Sequence, residues 1–201
     1  MEPEIRVLTF VVFSLLVYFL LKMLTKKKIS SKEVAMLGIF TALTAIATII
    51  IRIPISATGG YFNFGEAVIY TTAFLFGGYT ASFVGGVGSA IADLWGFPLF
   101  APITLVVKAI EGYLVGYIYE KKYVPFGKKT DTRVKIFAGI IGGLVMVLGY
   151  FVGEVLIYGP ILGGEHISAG AAATEVPVNL LQMISGIIIA IFITKKIKSA
   201  L

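Results

Sequence analysis

Four ionisable side chains fall inside otherwise apolar stretches of this sequence: Asp93, Lys108, Glu111 and Glu154. A charge in hydrocarbon is costly, so such groups face the interior of a helix bundle, pair with one another, or line a wet cavity. Lys108 and Glu111 are three residues apart, which puts them on one helical face where they can neutralise each other. Asp93 continues the row Ala81, Gly85, Ser89 and so points into a closely packed interface. Glu154 sits deep in its apolar segment. Two readings follow: the four form buried ion pairs and nothing more, or they serve a ligand or a transported ion.

A second group of residues suits recognition rather than catalysis. It comprises Tyr61-Phe62-Asn63-Phe64-Gly65-Glu66, then Trp95-Gly96-Phe97-Pro98-Leu99-Phe100, and the Gly- and Ala-rich stretch before Pro177. Aromatic rings offer flat faces on which a heterocycle can stack, and Asn63, Asn179 and Gln182 supply directional hydrogen bonds. Together they suit a small planar polar ligand. Tyr61 and Trp95 have a competing reading as interfacial anchors at the headgroup level. Asn179 and Gln182 share a helical face, three residues apart, about one turn below the outer membrane surface. The ligand is expected between the outer loops, touching Tyr61, Asn63, Trp95, Asn179 and Gln182, with Glu66, Lys108 and Glu154 as further polar contacts.

No nucleophile stands beside a base, so an enzyme is not expected. The phosphate-cradling pattern is missing, because Gly127-Lys128-Lys129-Thr130 lacks both the upstream glycine and the correct last position. Any ATP consumed must be hydrolysed by another chain. The sequence has no cysteine and a single histidine, His166, in a glycine-rich loop, which reads as a solvated residue; neither a metal nor a cofactor is expected.

The elements that hold these residues must be membrane helices. Hydrophobic residues make up 58% of the 201 residues, charged ones 14%, and the mean hydropathy is +0.95. A span needs roughly 20 mainly apolar residues. About seven segments qualify or nearly do, over approximately 7–24, 33–53, 65–79, 80–95, 101–120, 134–158 and 174–195. Glu2 and Glu4 precede the first and lysines follow it, the wrong polarity for a cleaved signal peptide, so it reads as a retained helix.

The net charge of +6 does not point to nucleic acid, since the basic residues form short clusters flanking apolar stretches. With alternating helices, Lys22, Lys26, Lys27, Lys28, Lys32, then Lys121, Lys122, Lys128, Lys129, Arg133, Lys135, then Lys195, Lys196, Lys198 share one side, 14 of the 17 Lys and Arg. The positive-inside rule makes that side cytoplasmic, with the N-terminus outside and the C-terminus inside. Small residues recur every four positions: Gly78, Ser82, Gly86, Ala90 beside Ala81, Gly85, Ser89, and again at Gly112/Gly116, Gly139/Gly143 and Gly149/Gly153. Such faces let backbones approach closely in lipid and predict a compact bundle. Gly38 and Ala42 make a further small pair, able to face a partner subunit or the chain's own bundle.

The stretch from Ile53 to Gly116 resembles the substrate-binding (S) components of energy-coupling factor (ECF) transporters, particularly the riboflavin-transporter-like branch. It carries Gly59-Gly60-Tyr61-Phe62-Asn63-Phe64-Gly65-Glu66-Ala67, Gly88-Ser89-Ala90-Ile91-Ala92-Asp93-Leu94, Ala101-Pro102 and Lys108-Ala109-Ile110-Glu111-Gly112, and Pro177-Val178-Asn179-Leu180-Leu181-Gln182 looks like the family's closing helix. The resemblance spans about 33–198. It implies an all-α, six-helix membrane bundle over 29–201, preceded by an extra N-terminal helix and basic linker over 1–28. It also implies capture of a vitamin or precursor from outside, under a lid formed by the first outer loop. Assembly with a transmembrane coupling subunit, touched at Gly38 and Ala42, and two cytoplasmic ATPases would follow. Two features depart from the pattern: the extra helix, and Gln182 where riboflavin-binding members tend to carry a basic residue. Riboflavin, pyridoxine- or hydroxymethylpyrimidine-like compounds and cobalamin all stay open. The alternative function is a standalone carrier driven by protons or sodium through Asp93 and Glu154.

Overall fold

The computed structural model describes residues 30–54, 60–125, 130–162 and 165–200, with Val11, Ser14, Leu15, Val17, Tyr18 and Lys22 from the N-terminal segment. The chain runs α1 (Ser31–Ile50), β1 (Ile53–Pro54), β2 (Tyr61–Phe62), α2 (Gly65–Phe76), α3 (Gly78–Gly96), α4 (Ala101–Glu120), α5 (Asp131–Gly153, extended by a π-helical turn over Glu154–Tyr158), α6 (Ala169–Ala173) and α7 (Val176–Ala200). The predicted spans from 33 onward each correspond to one of these helices. The six described residues of the predicted span 7–24 are all helical; its other residues, with Glu2, Glu4, Lys26, Lys27, Lys28, Lys128 and Lys129, lie outside the described residues.

Local sequence signals set the helix ends. Ser30 and Glu33 form a reciprocal capping box at the start of α1, the Ser30 amide donating to Glu33 Oε2 over 2.8 Å. Pro102 opens α4, where its missing amide hydrogen costs nothing. The break between α2 and α3 comes at Gly77, slightly before the predicted 79/80 boundary. Its φ is +82°, in the left-handed region, where an L side chain is strained.

This is a multi-pass membrane protein. Among the described residues, four helical stretches are long and apolar enough to cross a bilayer: Glu33–Ile50, Ala101–Glu120, Asp131–Tyr158 and Ala169–Ile197. Ile46, Leu148, Leu156, Ile188 and Phe192 are exposed on their outer faces, as a lipid-facing surface requires. α2 is different. Its 12 residues are enclosed by α1, α3, α4 and α7, with Ile69, Tyr70, Thr72 and Ala73 fully buried, so it packs as a core element and carries polar residues that a lipid-facing helix would not.

Glycines bring the backbones together. A Cβ added to Gly78 would lie 2.6 Å from the Tyr113 carbonyl oxygen, and one on Gly86 would lie 2.8 Å from that of Leu105. Gly112 and Gly116 face back onto Ala81 and Gly78, so α3 and α4 meet backbone to backbone along the predicted small-residue row. On the next seam Gly139 packs on Ile187 and Gly143 on Met183, joining α5 to α7. Val17 of the N-terminal segment packs on a patch formed by Val87, Ala90, Ala101 and Leu105, the outer face of the α3–α4 pair.

Gly116→Val is expected to destabilise the bundle by roughly 2–4 kcal/mol through overpacking, read as a lower unfolding midpoint of the detergent-solubilised protein. Gly38→Val, where an added Cβ meets nothing within 4 Å, should leave that midpoint unchanged.

Candidate ligand-binding site

At the end of the bundle where β1 and β2 pair (Ile53 with Phe62, Pro54 with Tyr61), a cavity opens beneath the two-stranded element. It encloses about 490 Å³ of unfilled space, counted out to its mouth. α1, α3, α4, α5 and α7 each contribute a polar side chain to its wall: Thr48, Asp93, Thr104 and Lys108, Tyr150, and Asn179 with Gln182.

The floor is a network centred on Lys108. Its ammonium donates to Glu66 and, over 3.1 Å, to Glu111 Oε2. Tyr70 donates its hydroxyl to the other Glu111 oxygen at 2.7 Å. Gln182 donates to Glu66 Oε1 at 2.7 Å and accepts the Asn63 amide at 2.8 Å, while Asn63 Oδ1 accepts the Gly65 amide that begins α2. Lys108, Glu66, Glu111 and Gln182 are all at most 2% exposed. One lysine thus holds two buried carboxyls, and the Gln182 amide ties that cluster to the segment running down from β2.

The outer wall is a second network. Tyr61 donates its hydroxyl to Asp93, Thr104 lies within hydrogen-bond reach of the same carboxyl, and Tyr150 donates to Thr104 over 3.2 Å. The Arg52 guanidinium packs over the Tyr61 ring, 4.8 Å from its centre, and donates to the Ala92 carbonyl at 2.6 Å. Phe97 stacks on Tyr61 with ring centres 5.2 Å apart. Burial first, then the neighbouring Asp93 carboxyl, push the Tyr61 phenol above the ordinary tyrosine range, so it stays a proton donor at all physiological pH. The third element is the pair Glu154 and Glu175, whose carboxyls face each other; Glu175 also accepts the Gly60 amide.

Of the residues singled out from sequence, Tyr61, Asn63, Lys108, Glu154, Asn179 and Gln182 line this cavity together. Glu66 stands one layer behind, bound to Lys108 and Gln182. Trp95 is not among the lining residues: its side chain is 85% exposed, and Phe97 and Phe100 of the same loop take the cavity face instead. The reason is helical phase, since Phe97 follows Asp93 by four residues and Trp95 by two. Gly38 and Ala42 lie away from the cavity, on the exposed face of α1. His166 is exposed, and Asp93 joins the wall instead of an ion pair. Glu175, Tyr150 and Thr104 escaped the sequence reading. Tyr150 was within reach of it, being four residues before Glu154 on the same helix. A second hollow, near Phe40, Phe74, Phe76 and Tyr119 at the opposite end, is lined by none of the predicted ligand contacts.

The sequence profile of the family "ECF-type riboflavin transporter, S component" matches residues 28–199. The chain is 42% identical over 145 residues to an uncharacterised protein of Pyrococcus woesei, covering 72% of this chain and 86% of that one. It is 31% identical over 172 residues to the thiamine precursor transporter HmpT of Lactococcus lactis subsp. cremoris (strain MG1363), covering 85% of this chain and 89% of the relative.

Lys108→Met would leave Glu66 and Glu111 buried without their cation. The expected cost is about 3–5 kcal/mol, measured as a fall in unfolding midpoint. Replacing all three residues by apolar ones of similar size should recover most of it.

Proposed function

This chain belongs to the S-component family of ECF-type riboflavin transporters, and on that premise we propose that its cavity captures a vitamin precursor from outside the cell. Family membership makes it a membrane-embedded, non-enzymatic substrate-binding subunit for vitamin uptake. The observation that carries the proposed site is the convergence of Lys108, Glu154, Asn179 and Gln182, from three helices distant in sequence, on one cavity under β1 and β2. Stacking rings at Tyr61, Phe97 and Tyr150 and hydrogen-bonding groups around them suit a planar heterocycle.

The ligand is a thiamine precursor in this reading. The relative named for that substrate supports it, as does Gln182 in place of a basic residue. Thiamine joins an aminopyrimidine to a thiazole, so a precursor is a single-ring compound. Riboflavin and pyridoxine-like compounds are the alternatives that a binding screen would test alongside it.

Delivery inward requires separate coupling and ATPase subunits, with Gly38 and Ala42 meeting the coupling subunit. Their exposure on α1, in a row with Ala35 and Ile46, supports that contact. Residues 1–28 then form an addition outside the 29–201 binding domain, consistent with a family match that begins at residue 28. The cavity end faces outward and the lysine-rich end faces the cytoplasm.

Two measurements check this. Isothermal titration of the purified chain with vitamin precursors should give tight binding that Asn179→Ala and Gln182→Ala each weaken about 10- to 100-fold, with Trp95→Ala near wild type. In proteoliposomes the chain alone should bind without accumulating ligand; uptake that collapses with a proton or sodium gradient would instead favour the standalone carrier. Topology is directly testable because the chain lacks cysteine: His166→Cys should react with an impermeant thiol reagent from outside, and Lys122→Cys only from inside.

A further inference from the structure

We propose that Glu154 and Glu175 act as a carboxyl pair sharing one proton, and that this pair reads the amidine edge of an aminopyrimidine ligand. The inference rests on the reading of the cavity as a precursor site and deepens it by assigning the residues that choose the ligand.

The geometry is specific to this pair. Glu154 begins the π-helical turn that extends α5, and Glu175 stands just before α7. Their side chains line the cavity, are 1% and 5% exposed as residues, and face each other within hydrogen-bonding distance. Two ionised carboxylates have only acceptors, so a hydrogen bond between them requires a proton on one. The two bases described near this wall are engaged elsewhere: Lys108 is held by Glu66 and Glu111, and Arg52 by the Ala92 and Thr48 carbonyls and the Tyr61 ring. Counting Asp93, three carboxyls line the cavity against the one lysine, whose ammonium is already taken by Glu66 and Glu111 behind it. A ligand that offers N–H donors to that wall is favoured over one that offers acceptors alone.

Glu154 Oε2 is buried and has no hydrogen-bond partner among the described residues. A buried polar atom left in that state is costly and is satisfied when something binds against it. Glu175 is oriented by the Gly60 amide, and a side chain on Gly60 would collide with its carboxyl, so the backbone just before β2 lies directly against this carboxyl.

The chemistry then selects among heterocycles. When a ligand enters, the one proton that bridged the two carboxyls turns to it, and the pair then presents one O–H donor beside one carboxylate acceptor. The amidine edge of an aminopyrimidine presents the complement: a ring nitrogen that accepts, beside an exocyclic amino group that donates. A thiazole ring carries no such edge. The Tyr150 ring, four residues before Glu154 on the same helix, flanks the pair in the cavity wall.

Titration calorimetry on the intact chain tests this with two probes: an aminopyrimidine bearing methyl and hydroxymethyl groups, and the same ring without its amino group. Wild type is expected to prefer the amino compound by on the order of 100-fold, because the other leaves a buried carboxylate unpaired. Glu154→Gln or Glu175→Gln alone should keep that preference, since the amide supplies the N–H and the remaining carboxylate the acceptor. The double variant Glu154→Leu with Glu175→Leu, which leaves neither donor nor acceptor at the pair, should lose it, the two probes then binding alike. A wild type that binds both probes equally, or a double variant that keeps the preference, overturns the pair's role while leaving the cavity as the site. If neither probe binds but another vitamin does, the precursor reading falls and takes the pair's role with it. The wild-type comparison needs no variant and stands whether or not the double variant folds.

Discussion

A single ammonium group in a lipid-embedded bundle governs the arrangement of this molecule. Lys108 is 2% exposed and holds Glu66 from α2 and Glu111 from its own helix. With little water to solvate them, the carboxyls cannot be held there without the ammonium between them, nor the ammonium without a carboxyl. Their mutual need fixes the rotation of α4 about its axis and draws the start of α2 against it. Through Gln182, which bridges Glu66 and the Asn63 amide, the same constraint reaches α7 and the segment below β2. The cavity floor is therefore set by electrostatic necessity before any ligand arrives.

Around that hub, packing replaces the hydrophobic effect as the cohesive force. Lipid tails are as apolar as leucine, so helices gain little by hiding apolar surface from them and gain most by close van der Waals contact. The glycine rows of α3 and α4 serve this, as do Gly139 and Gly143 against α7. The isoleucines and leucines are free to point outward. The inversion relative to a soluble domain also explains why α2, the most enclosed helix, carries threonines, a tyrosine and a glutamate while the peripheral helices are more uniformly apolar.

Most of the fold was legible because membrane spans announce themselves by length and composition. The helix positions, the break near Gly77 and the glycine seams all follow from rules that need no partner information. Cavity-lining residues on helices were legible for a related reason: Asn179, Gln182, Lys108 and Glu154 are conspicuous against an apolar background, where a polar side chain has no reason to sit unless it meets something. Loops gave a weaker signal. In the stretch from Trp95 to Phe100, size pointed to Trp95, while the side chains that turn inward are Phe97 and Phe100, set by the phase of α3 and the turn after it. Glu175 went unnoticed because it stands at the very start of the predicted span 174–195, where a carboxylate at the membrane boundary is ordinary, and only the folded chain places it opposite Glu154.

The backbone-to-backbone seam between α3 and α4 carries a mechanical implication. Where main chains touch without side chains between them, sliding or tilting has no soft layer to absorb it, so the two helices form a stiff beam. Asp93, Thr104 and Lys108 are all mounted on that beam and keep their spacing whatever happens around them. Compliance is left to the other side of the cavity, where a π-helical turn, the short α6 and the strands over the mouth meet.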